Sequence, residues 1–545
     1  MAVFDSLRSF LKRPPPAQSV HGRTHELRRG LCLAAFSGAL WALVCVNFSA
    51  WPLAFVAMVP GLFAIERATS TRRAVLFGWS LGLVGNACGF YWMFGTMRRF
   101  AGLPWWAAAL LFLSICGFQA LRMAFFGWAL RLIRNHSGLP LALVAPVVLV
   151  TVELCIPLIF PFYLAMSVAQ QPLLIQIADL TGVAGVSALL LMVNGAIYDL
   201  LSGAQRRRDI AAVSFAILLA AVCYGFLRVR QFTRQRALAP KIKVGIVQPN
   251  AITYALGGGN QVFAERRIAD LQARSAELEA AGADLIVWPE SSYPRRISRQ
   301  ANGDRPDSDP LRIKRGFNTP LVFNVTTYQP PLSSGQPYNS AILLDMDGKF
   351  RARYDKNNLF MFGEYTPGLA TFPWLENFSP LRLEQFAAGG EINTLPFQTG
   401  DGREWRLGPM ICLEDILPGF GRRLGALHPH LLVNLTNDSW FGETTEPWQH
   451  LALSVFRSVE LRTELVRAAN TGVSTYVDAT GRVYAATYVV DPARDTRGAD
   501  KVLAEVALIE GGHTLYALAG DYFSYLCIAL TLYLSLVAPW LRRRE

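Results

Sequence analysis

The stretch RLGPMICLED, residues 406–415, is an apolar run that ends on a cysteine and then turns acidic. A short apolar run of this kind indicates a buried strand, and the residues after it indicate a helical turn. The thiol of Cys412 would then lie at a strand-to-helix corner, where free backbone N–H groups can lower a thiol pKa and hold an oxyanion. The alternative is that Cys412 is an ordinary small buried side chain.

Residues 241–512, on both sides of this corner, have the mixed composition of a water-soluble domain. Two stretches rich in helix-forming residues predict helices over 261–281 and 446–469. Asp347-Gly348 and Thr480-Gly481 are turn signals that join antiparallel strands. The predicted strands are 241–248, 284–288, 319–326, 339–345, 350–355, 404–412, 431–436, 473–478, 482–488 and 501–508. Alternating strands and helices with hairpins among them predict a two-layer or four-layer α/β sandwich.

The remainder of the chain is far more apolar. Of 545 residues, 52% are hydrophobic and only 17% are charged, which is too apolar for an ordinary soluble protein. Because a helix needs about 20 apolar residues to cross a bilayer, we predict eight spans. They lie near 30–48, 51–66, 74–95, 105–132, 139–157, 184–201, 210–228 and 522–541. The predicted order is a cytoplasmic segment 1–29, seven spans over 30–236, a soluble domain over 241–512, an eighth span over 520–541 and a tail 542–545.

The net charge of +12 does not indicate a nucleic-acid partner, because the basic residues form short clusters beside the apolar runs. Such clusters mark the cytoplasmic side of a membrane. They place the domain 241–512 on the opposite side, which in a bacterium is the periplasm. The clusters that follow the rule are 67–73, 131–134, 206–208 and 542–544. Arg98 and Arg99 lie on the wrong side, as do Arg228, Arg230, Arg234 and Arg236, although this last group leads into a long domain where the rule has little force.

Three glycines in the third predicted span, Gly82, Gly85 and Gly89, are open to two interpretations. They mark close packing between helices, or they are simply small residues of the kind common in membrane spans.

The soluble domain contains three candidates for nucleophilic chemistry. Of eight cysteines, only Cys412 lies outside the apolar spans, and a single cysteine in an oxidising compartment is a candidate nucleophile. Glu290 closes the run DLIVWPE, where partial desolvation would raise its pKa toward that of a general base. Lys356 closes FRARYDK in a chain with seven lysines among 52 basic residues, which indicates a need for a compact charge. Glu364, eight residues later, is either a further site carboxylate or a loop side chain.

Four motifs occur in the order typical of the nitrilase superfamily. They are VWPES at 287–291, YDKNN with FGEYTP at 354–367, MICLED at 410–415 and TNDSWFG at 436–442. Within that superfamily, the predicted spans together with PWQH at 447–450 and RAANTG at 467–472 resemble the apolipoprotein N-acyltransferase family. The resemblance covers nearly the whole chain.

The resemblance implies an α-β-β-α sandwich joined to a membrane domain, with a catalytic triad of Glu290, Lys356 and Cys412. In the chemistry it implies, Glu290 takes the thiol proton, Cys412 attacks an ester carbonyl, and Lys356 with the Leu413 N–H stabilises the oxyanion. The donor would be a phospholipid, expected to be phosphatidylethanolamine, and the acceptor the N-terminal diacylglyceryl-cysteine of an apolipoprotein. The resemblance also implies that Glu364 and Glu414 are needed at the site. Asn437 and Trp440, like Leu413, are expected to support the site rather than to react.

The sequence departs from the family pattern at a few positions. Leu413 stands where an aromatic residue is common, Asn358 where histidine is usual, and Phe360-Met361 where Val-Pro is common. The segment AITYALGGG at 251–259 lacks a usual tryptophan, and its glycines lack the lysine of a phosphate loop. These departures bear on donor and acceptor preference rather than on the triad.

Neither a cofactor nor a metal is predicted. His450 has no second histidine at ligand spacing, and His428 with His430 is no better.

Two other functions are compatible with parts of the sequence. A membrane-tethered amidase would use the same triad with water as acceptor, although a soluble substrate would not need seven spans. A transport or assembly protein would carry more ionisable residues inside its spans, where Glu66, Arg122 and Glu153 are the notable ones.

An apolar, aromatic segment follows Glu364 and is unusual for an exposed loop. Its side chains include Phe362, Tyr365, Phe372, Trp374 and Leu375. Either it packs as ordinary core, or it forms an arm over the active site whose tip lies at the membrane interface and admits the acyl chain.

Overall fold

The computed structural model describes residues 20–99, 102–156, 158–203, 206–250, 261–331, 335–369, 371–373, 385–486 and 500–537. The chain divides into two compact units. The helical unit comprises residues 1–94, 105–228 and 519–545, and the α/β unit comprises 95–104 and 229–518.

Helices occupy most of the described residues between 20 and 238, and a few lie within or after the α/β unit. In chain order they are α1 (Val20–Val46), α2 (Val59–Glu66), α3 (Thr71–Gly89), α4 (Tyr91–Arg99), α5 (Trp105–Gln119), α6 (Leu121–His136), α7 (Leu141–Cys155), α8 (Pro172–Ile175), α9 (Ala178–Ser202), α10 (Arg207–Leu238), α11 (Gln261–Ala280), α12 (Pro418–Gly425), α13 (Glu446–Leu461), α14 (Leu515–Ala519) and α15 (Tyr522–Leu532).

Five helical segments of the described chain are long and apolar enough to cross a membrane. A sixth is added if the pair α3 and α4, bent by 55°, counts as one span. The predicted fifth and eighth spans correspond to shorter helices, Leu141–Cys155 and Tyr522–Val537. The 15 residues of α7 extend about 22 Å at 1.5 Å per residue, less than the ~30 Å of a hydrocarbon core. The predicted count of eight spans is therefore not confirmed.

The glycines of α3 lie where neighbouring groups approach its backbone closely. A Cβ atom added to Gly82 would lie 2.9 Å from Ala120 Cα on the α5–α6 corner. One added to Gly85 would lie 2.8 Å from the ring of Trp41 on α1, and one added to Gly89 would lie 2.5 Å from the ring of Phe162. Close packing, rather than chance composition, explains these glycines.

Thirteen strands of the described chain form two mixed sheets in the α/β unit. They are β1 (Lys241–Gln248), β2 (Leu285–Val287), β3 (Ile297–Ser298), β4 (Leu321–Tyr328), β5 (Tyr338–Leu344), β6 (Phe350–Asp355), β7 (Leu395–Gln398), β8 (Glu404–Ile411), β9 (Leu431–Thr436), β10 (Leu465–Ala469), β11 (Thr475–Val477), β12 (Val483–Ala486) and β13 (Asp500–Ala507). The first sheet has the order β13-β1-β2-β4-β5-β6, with β3 beside β4, and the second has the order β12-β11-β10-β9-β8-β7.

The two sheets face each other, with helices outside them. Tyr476 of the second sheet donates a hydrogen bond of 2.6 Å to the Val244 carbonyl of the first. Trp288, Ile268 and Leu271 belong to the buried core between the first sheet and α11. The predicted α-β-β-α sandwich is confirmed.

One element of the predicted fold is wrong. The sequence predicts a single helix over 446–469, whereas α13 ends at Leu461 and β10 begins at Leu465. Arg462 caps the helix in a left-handed conformation with φ of 57°. The chain then turns back to pair β10 in parallel with β9.

Candidate active site

The three predicted triad residues follow strands that end at the same edge of the unit. Glu290 comes after β2, Lys356 directly after β6, and Cys412 directly after β8. The Lys356 Nζ lies 2.8 Å from Glu364 Oε2 and 3.5 Å from Glu290 Oε1, and the Cys412 thiol and the Glu290 carboxyl are close enough to shift each other's pKa. The structure therefore brings together the predicted triad and Glu364.

Asn339 on β5 joins the two carboxylates and was not predicted from the sequence. Its Nδ2 donates to Glu290 Oε1 at 2.9 Å and to Glu364 Oε1 at 2.8 Å. Its own orientation is set by Asn324, whose Nδ2 donates to Asn339 Oδ1 at 2.6 Å. The only signal in the sequence is a pair of polar residues, Asn339 and Ser340, near the start of the strand YNSAILL.

Protonation in this cluster is governed by burial and by the two carboxylates. Burial raises the pKa of Glu290; Lys356 opposes the rise and Glu364 adds to it. Burial alone would lower the pKa of Lys356, but Glu364 and Glu290 outweigh it and hold that pKa above its usual value. Lys356 is therefore a permanent ammonium ion, and Glu290 is a stronger base than a solvated glutamate.

The pKa of the Cys412 thiol is shifted in the direction opposite to the one expected from the sequence. A strand-to-helix corner can lower a thiol pKa, whereas here the pKa is raised. Burial, and then the Glu290 carboxylate, raise the pKa of Cys412 well above its usual value, and Lys356 offsets only part of the rise. The resting thiol of Cys412 is consequently neutral. To act as a nucleophile, this thiol would first have to lose its proton, and Glu290 is the base beside it.

Cys412 has a strained backbone conformation at the start of a short turn. Its φ is 52°, in the left-handed region that L-residues rarely adopt. The residues Cys412–Ile416 form one 3₁₀ turn, so Leu413 lies in that turn directly after Cys412. Asn434 Nδ2 donates to the Cys412 carbonyl at 3.2 Å.

Glu414 is buried and links the loop after Lys356 to strand β8, which ends before Cys412. Its Oε1 accepts hydrogen bonds from Tyr354 Oη at 2.7 Å and from the Asn357 and Asn358 N–H groups at 2.8 and 3.0 Å. Its Oε2 accepts from the Ile411 N–H at 2.8 Å. Because Asn358 contributes its backbone N–H, this link does not depend on the usual histidine at that position.

Asn437 and Trp440 lie in the next loop, after β9. Asn437 Oδ1 accepts from Asn470 Nδ2 at 3.1 Å and from the Ser439 N–H at 3.3 Å, which caps the short turn Asp438–Phe441. The Trp440 carbonyl accepts a hydrogen bond of 3.1 Å from Thr96 Oγ1. Asn437 therefore caps this turn through its side chain, and Trp440 joins it to Thr96 through its backbone carbonyl.

The same loop explains one arginine that breaks the membrane charge rule. Arg99 belongs to the α/β unit, and its Nη2 donates to the Phe441 carbonyl at 3.0 Å. A Cβ atom on Gly442 would lie 2.9 Å from the same guanidinium. Arg99 is therefore placed by this contact rather than by membrane topology.

The segment predicted to be an arm is described only in part. Phe362 is 65% exposed and Phe372 is 50% exposed, so neither side chain packs in a core. Tyr365 is partly buried, and its carbonyl accepts from the Phe362 N–H at 2.8 Å. Trp374 and Leu375 lie outside the described residues.

Two groups of side chains among the described residues are close enough to hold a metal ion. One is His428 with Glu510 and His513, and the other is Asp438 with Glu446 and His450. His450, for which the sequence offers no second histidine at ligand spacing, has an aspartate at each ring nitrogen. A doubly protonated ring, which donates to both aspartates, would have no lone pair for a metal.

Comparison with known proteins gives two family matches. Residues 37–196 match the apolipoprotein N-acyltransferase N-terminal domain, and residues 243–493 match the carbon-nitrogen hydrolase domain. The apolipoprotein N-acyltransferase of Geobacter metallireducens is 31% identical over 92% of this chain and 94% of its own length. That of Bdellovibrio bacteriovorus is 28% identical over 83% of this chain and 84% of its own. Among solved structures, Nit3 of Saccharomyces cerevisiae, a nitrilase superfamily member, is 18% identical over 49% of this chain and 90% of its own, with a TM-score of 0.34.

Proposed function

Because this chain belongs to the apolipoprotein N-acyltransferase family and is an acyltransferase of lipoprotein maturation, we propose that it works through a thioester on Cys412. The cluster of Cys412, Glu290 and Lys356 is the observation that carries the proposal. A buried carboxylate beside a thiol and a permanent ammonium ion is suited to acyl transfer.

In the first step, Glu290 takes the proton of Cys412, and the sulfur attacks the ester carbonyl of a phospholipid. The Lys356 ammonium and the Leu413 N–H stabilise the oxyanion. The carbon–oxygen bond then breaks, and the lysophospholipid leaves with the proton held by Glu290. The acyl chain remains on the enzyme as a thioester.

In the second step, the N-terminal amine of a diacylated apolipoprotein attacks the thioester. Glu290 takes a proton from the amine, the carbon–sulfur bond breaks, and the thiolate is reprotonated. The net change is one ester bond lost and one amide bond gained. Glu364 and Asn339 hold Lys356 and Glu290 in place throughout.

The donor in this proposal is the sn-1 chain of phosphatidylethanolamine. The helical unit lies in the bacterial inner membrane, and the α/β unit faces the periplasm, as the loop charges indicate. We also assign the segment around Phe362, Tyr365, Phe372, Trp374 and Leu375 to an arm that admits the acyl chain. The exposure of Phe362 and Phe372 supports the arm.

The test is to incubate the purified protein with labelled phospholipid and a diacylated lipopeptide. We expect a triacylated lipopeptide and lysophospholipid in equal amounts. Free fatty acid as the sole labelled product would overturn the proposal in favour of a hydrolase with water as acceptor. The same incubation with phosphatidylglycerol in place of phosphatidylethanolamine tests the donor separately.

A further inference from the structure

Four buried charged side chains form a closed ring beside the turn of the nucleophile. Arg467 Nη1 lies 2.7 Å from Asp415 Oδ2, and its Nη2 lies 3.0 Å from Asp438 Oδ2. His450 joins the other oxygens of the same aspartates, Nε2 at 2.8 Å from Asp415 Oδ1 and Nδ1 at 3.2 Å from Asp438 Oδ1. All four side chains are at least nine-tenths buried. We call these four residues the charged ring.

The charged ring is connected to Cys412 by two routes. Asp415 belongs to the 3₁₀ turn that Cys412 begins. Arg467 Nη1 also donates to Asn434 Oδ1 at 3.0 Å, and Asn434 Nδ2 donates to the Cys412 carbonyl at 3.2 Å. The ring therefore fixes both the start and the end of the turn in which Cys412 has its left-handed backbone.

The ring is electrically balanced only if His450 carries a positive charge. A neutral imidazole would point one lone pair at a carboxylate, whereas both ring nitrogens face aspartates. Burial and Arg467 lower the pKa of His450, but Asp415 and Asp438 outweigh them and raise it to about 10. Glu446 lies 3.8 Å from His450, and burial with Asp438 raises its pKa well above the usual range. With Glu446 neutral, two anions (Asp415 and Asp438) are balanced by two cations (Arg467 and His450).

We propose that the charged ring positions the nucleophile, with His450 serving as a fixed cation rather than as an acid or base. Arg467 orients Asn434, and Asn434 holds the Cys412 carbonyl so that the thiol faces Glu290. His450 neutralises Asp438, whose charge otherwise disfavours the thiolate. The inference rests on the proposed thioester mechanism, and it assigns positioning roles to residues that do not touch the substrate.

The test compares three variants of the full-length protein in detergent. His450→Gln removes the cation, and Arg467→Lys keeps the charge but cannot span both aspartates and Asn434. The control is Arg457→Lys, which alters another buried ion pair on α13, formed with Glu460 at 2.7 Å. Thermal unfolding checks that each variant is folded.

Two readouts separate positioning from simple structural support. The first is the pH profile of Cys412 alkylation, followed on its own peptide by mass spectrometry. We expect its midpoint to rise in His450→Gln and to stay near the wild type in Arg467→Lys and in the control. The second readout is turnover. We expect kcat to fall on the order of a hundredfold in His450→Gln and in Arg467→Lys, because misplacing a catalytic group by about 1 Å causes a loss of that size. The KM for phospholipid should change little.

Ring variants that match the Arg457→Lys control in both readouts would overturn the inference. If His450→Gln does not fold, the kcat loss of Arg467→Lys against its control decides the matter. A wild type that forms no thioester would instead refute the proposed function. The alkylation profile would still report on the ring in that case.

Discussion

Lys356 is enclosed by two carboxylates, and this enclosure determines what can replace it. Its Nζ lies 2.8 Å from Glu364 and 3.5 Å from Glu290 in a fully buried position. A planar guanidinium is larger and presents its donors in a fixed fork. Lys356→Arg should therefore keep the charge but lose thioester formation by about a hundred- to a thousandfold, as when one oxyanion donor is removed.

The measurement is the rate of thioester formation on the full-length protein, with Lys243→Arg as a matched control. Lys243 is an exposed lysine of β1. A near-normal rate for Lys356→Arg would mean that Lys356 only balances charge.

His450 should make the stability of the α/β unit depend on pH in the alkaline range. Its pKa rises from 6.5 to about 10 on folding, so the unfolded state releases the proton first. The stabilisation is then complete below pH about 6.5 and is lost as the pH rises toward 10. We expect the thermal midpoint of the wild type to fall between pH 6.5 and 9.5 by more than that of His450→Gln; equal falls would contradict this assignment.

The residues of the triad could be predicted because each stands in a short motif at the end of a strand. Asn339, Asn434 and Arg467 could not, because their roles depend on partners that are distant in sequence. Arg467 meets Asp415 across 52 residues of chain. Only the folded sheets bring such groups together.

At the scale of elements, α3 and α6 cross where a glycine leaves no room for a side chain. A Cβ atom on Gly78 would overlap the Met123 carbonyl oxygen, and backbone cannot move aside as a side-chain tip can. Gly78→Ala should therefore lower the thermal midpoint of the protein in detergent, since overpacking costs about 1–3 kcal/mol. Gly117→Ala is the control, because its Cβ would lie 3.5 Å from the Trp79 ring in ordinary contact. Equal midpoints for the two variants would contradict the close crossing.

If the arm delivers lipid, its aromatic side chains should affect thioester formation from bilayer phospholipid but not from a soluble donor. We predict that changing Phe362 and Phe372 together to Ser lowers thioester formation from bilayer phospholipid at least tenfold, about the effect of 1.4 kcal/mol. Formation from a soluble short-chain ester should be retained. Met346→Ser, which alters an exposed side chain of the β5–β6 turn, is the control. Equal loss with both donors would show that the two phenylalanines only hold the fold.

Element boundaries were predictable where the pattern is local. Strand β1 and helix α11 lie within a residue or so of their predicted limits. The helix predicted over 446–469 was too long because the residues LRTELVRAA are compatible with both a helix and a strand. In the structure, the left-handed conformation of Arg462 ends the helix, and the residues after it pair in parallel with β9 as a strand. Strand β7 depends wholly on its antiparallel partner β8 and was not predicted.

At the scale of the whole molecule, the loop charges predict on which side of the membrane the catalytic domain lies. The side chain of Asp307 is 92% exposed, so a cysteine there is open to reagents. We expect Asp307→Cys to react with a membrane-impermeant maleimide once the outer membrane is permeabilised, with the inner membrane intact. Asp209→Cys, in the exposed region before α10 enters its apolar part, should react only in broken cells. The reverse pattern would contradict the predicted orientation.

The central claim is that Cys412 carries the acyl chain, and intact mass tests it most directly. The full-length protein is exposed to a phospholipid with one defined acyl chain, without a lipopeptide. Its intact mass is then measured by mass spectrometry, together with that of Cys412→Ala treated in the same way. The account predicts one added acyl group on the wild type, removed by hydroxylamine or by a diacylated lipopeptide, and none on Cys412→Ala. An equal acyl adduct on both proteins, or full transfer to lipopeptide by Cys412→Ala, would contradict it.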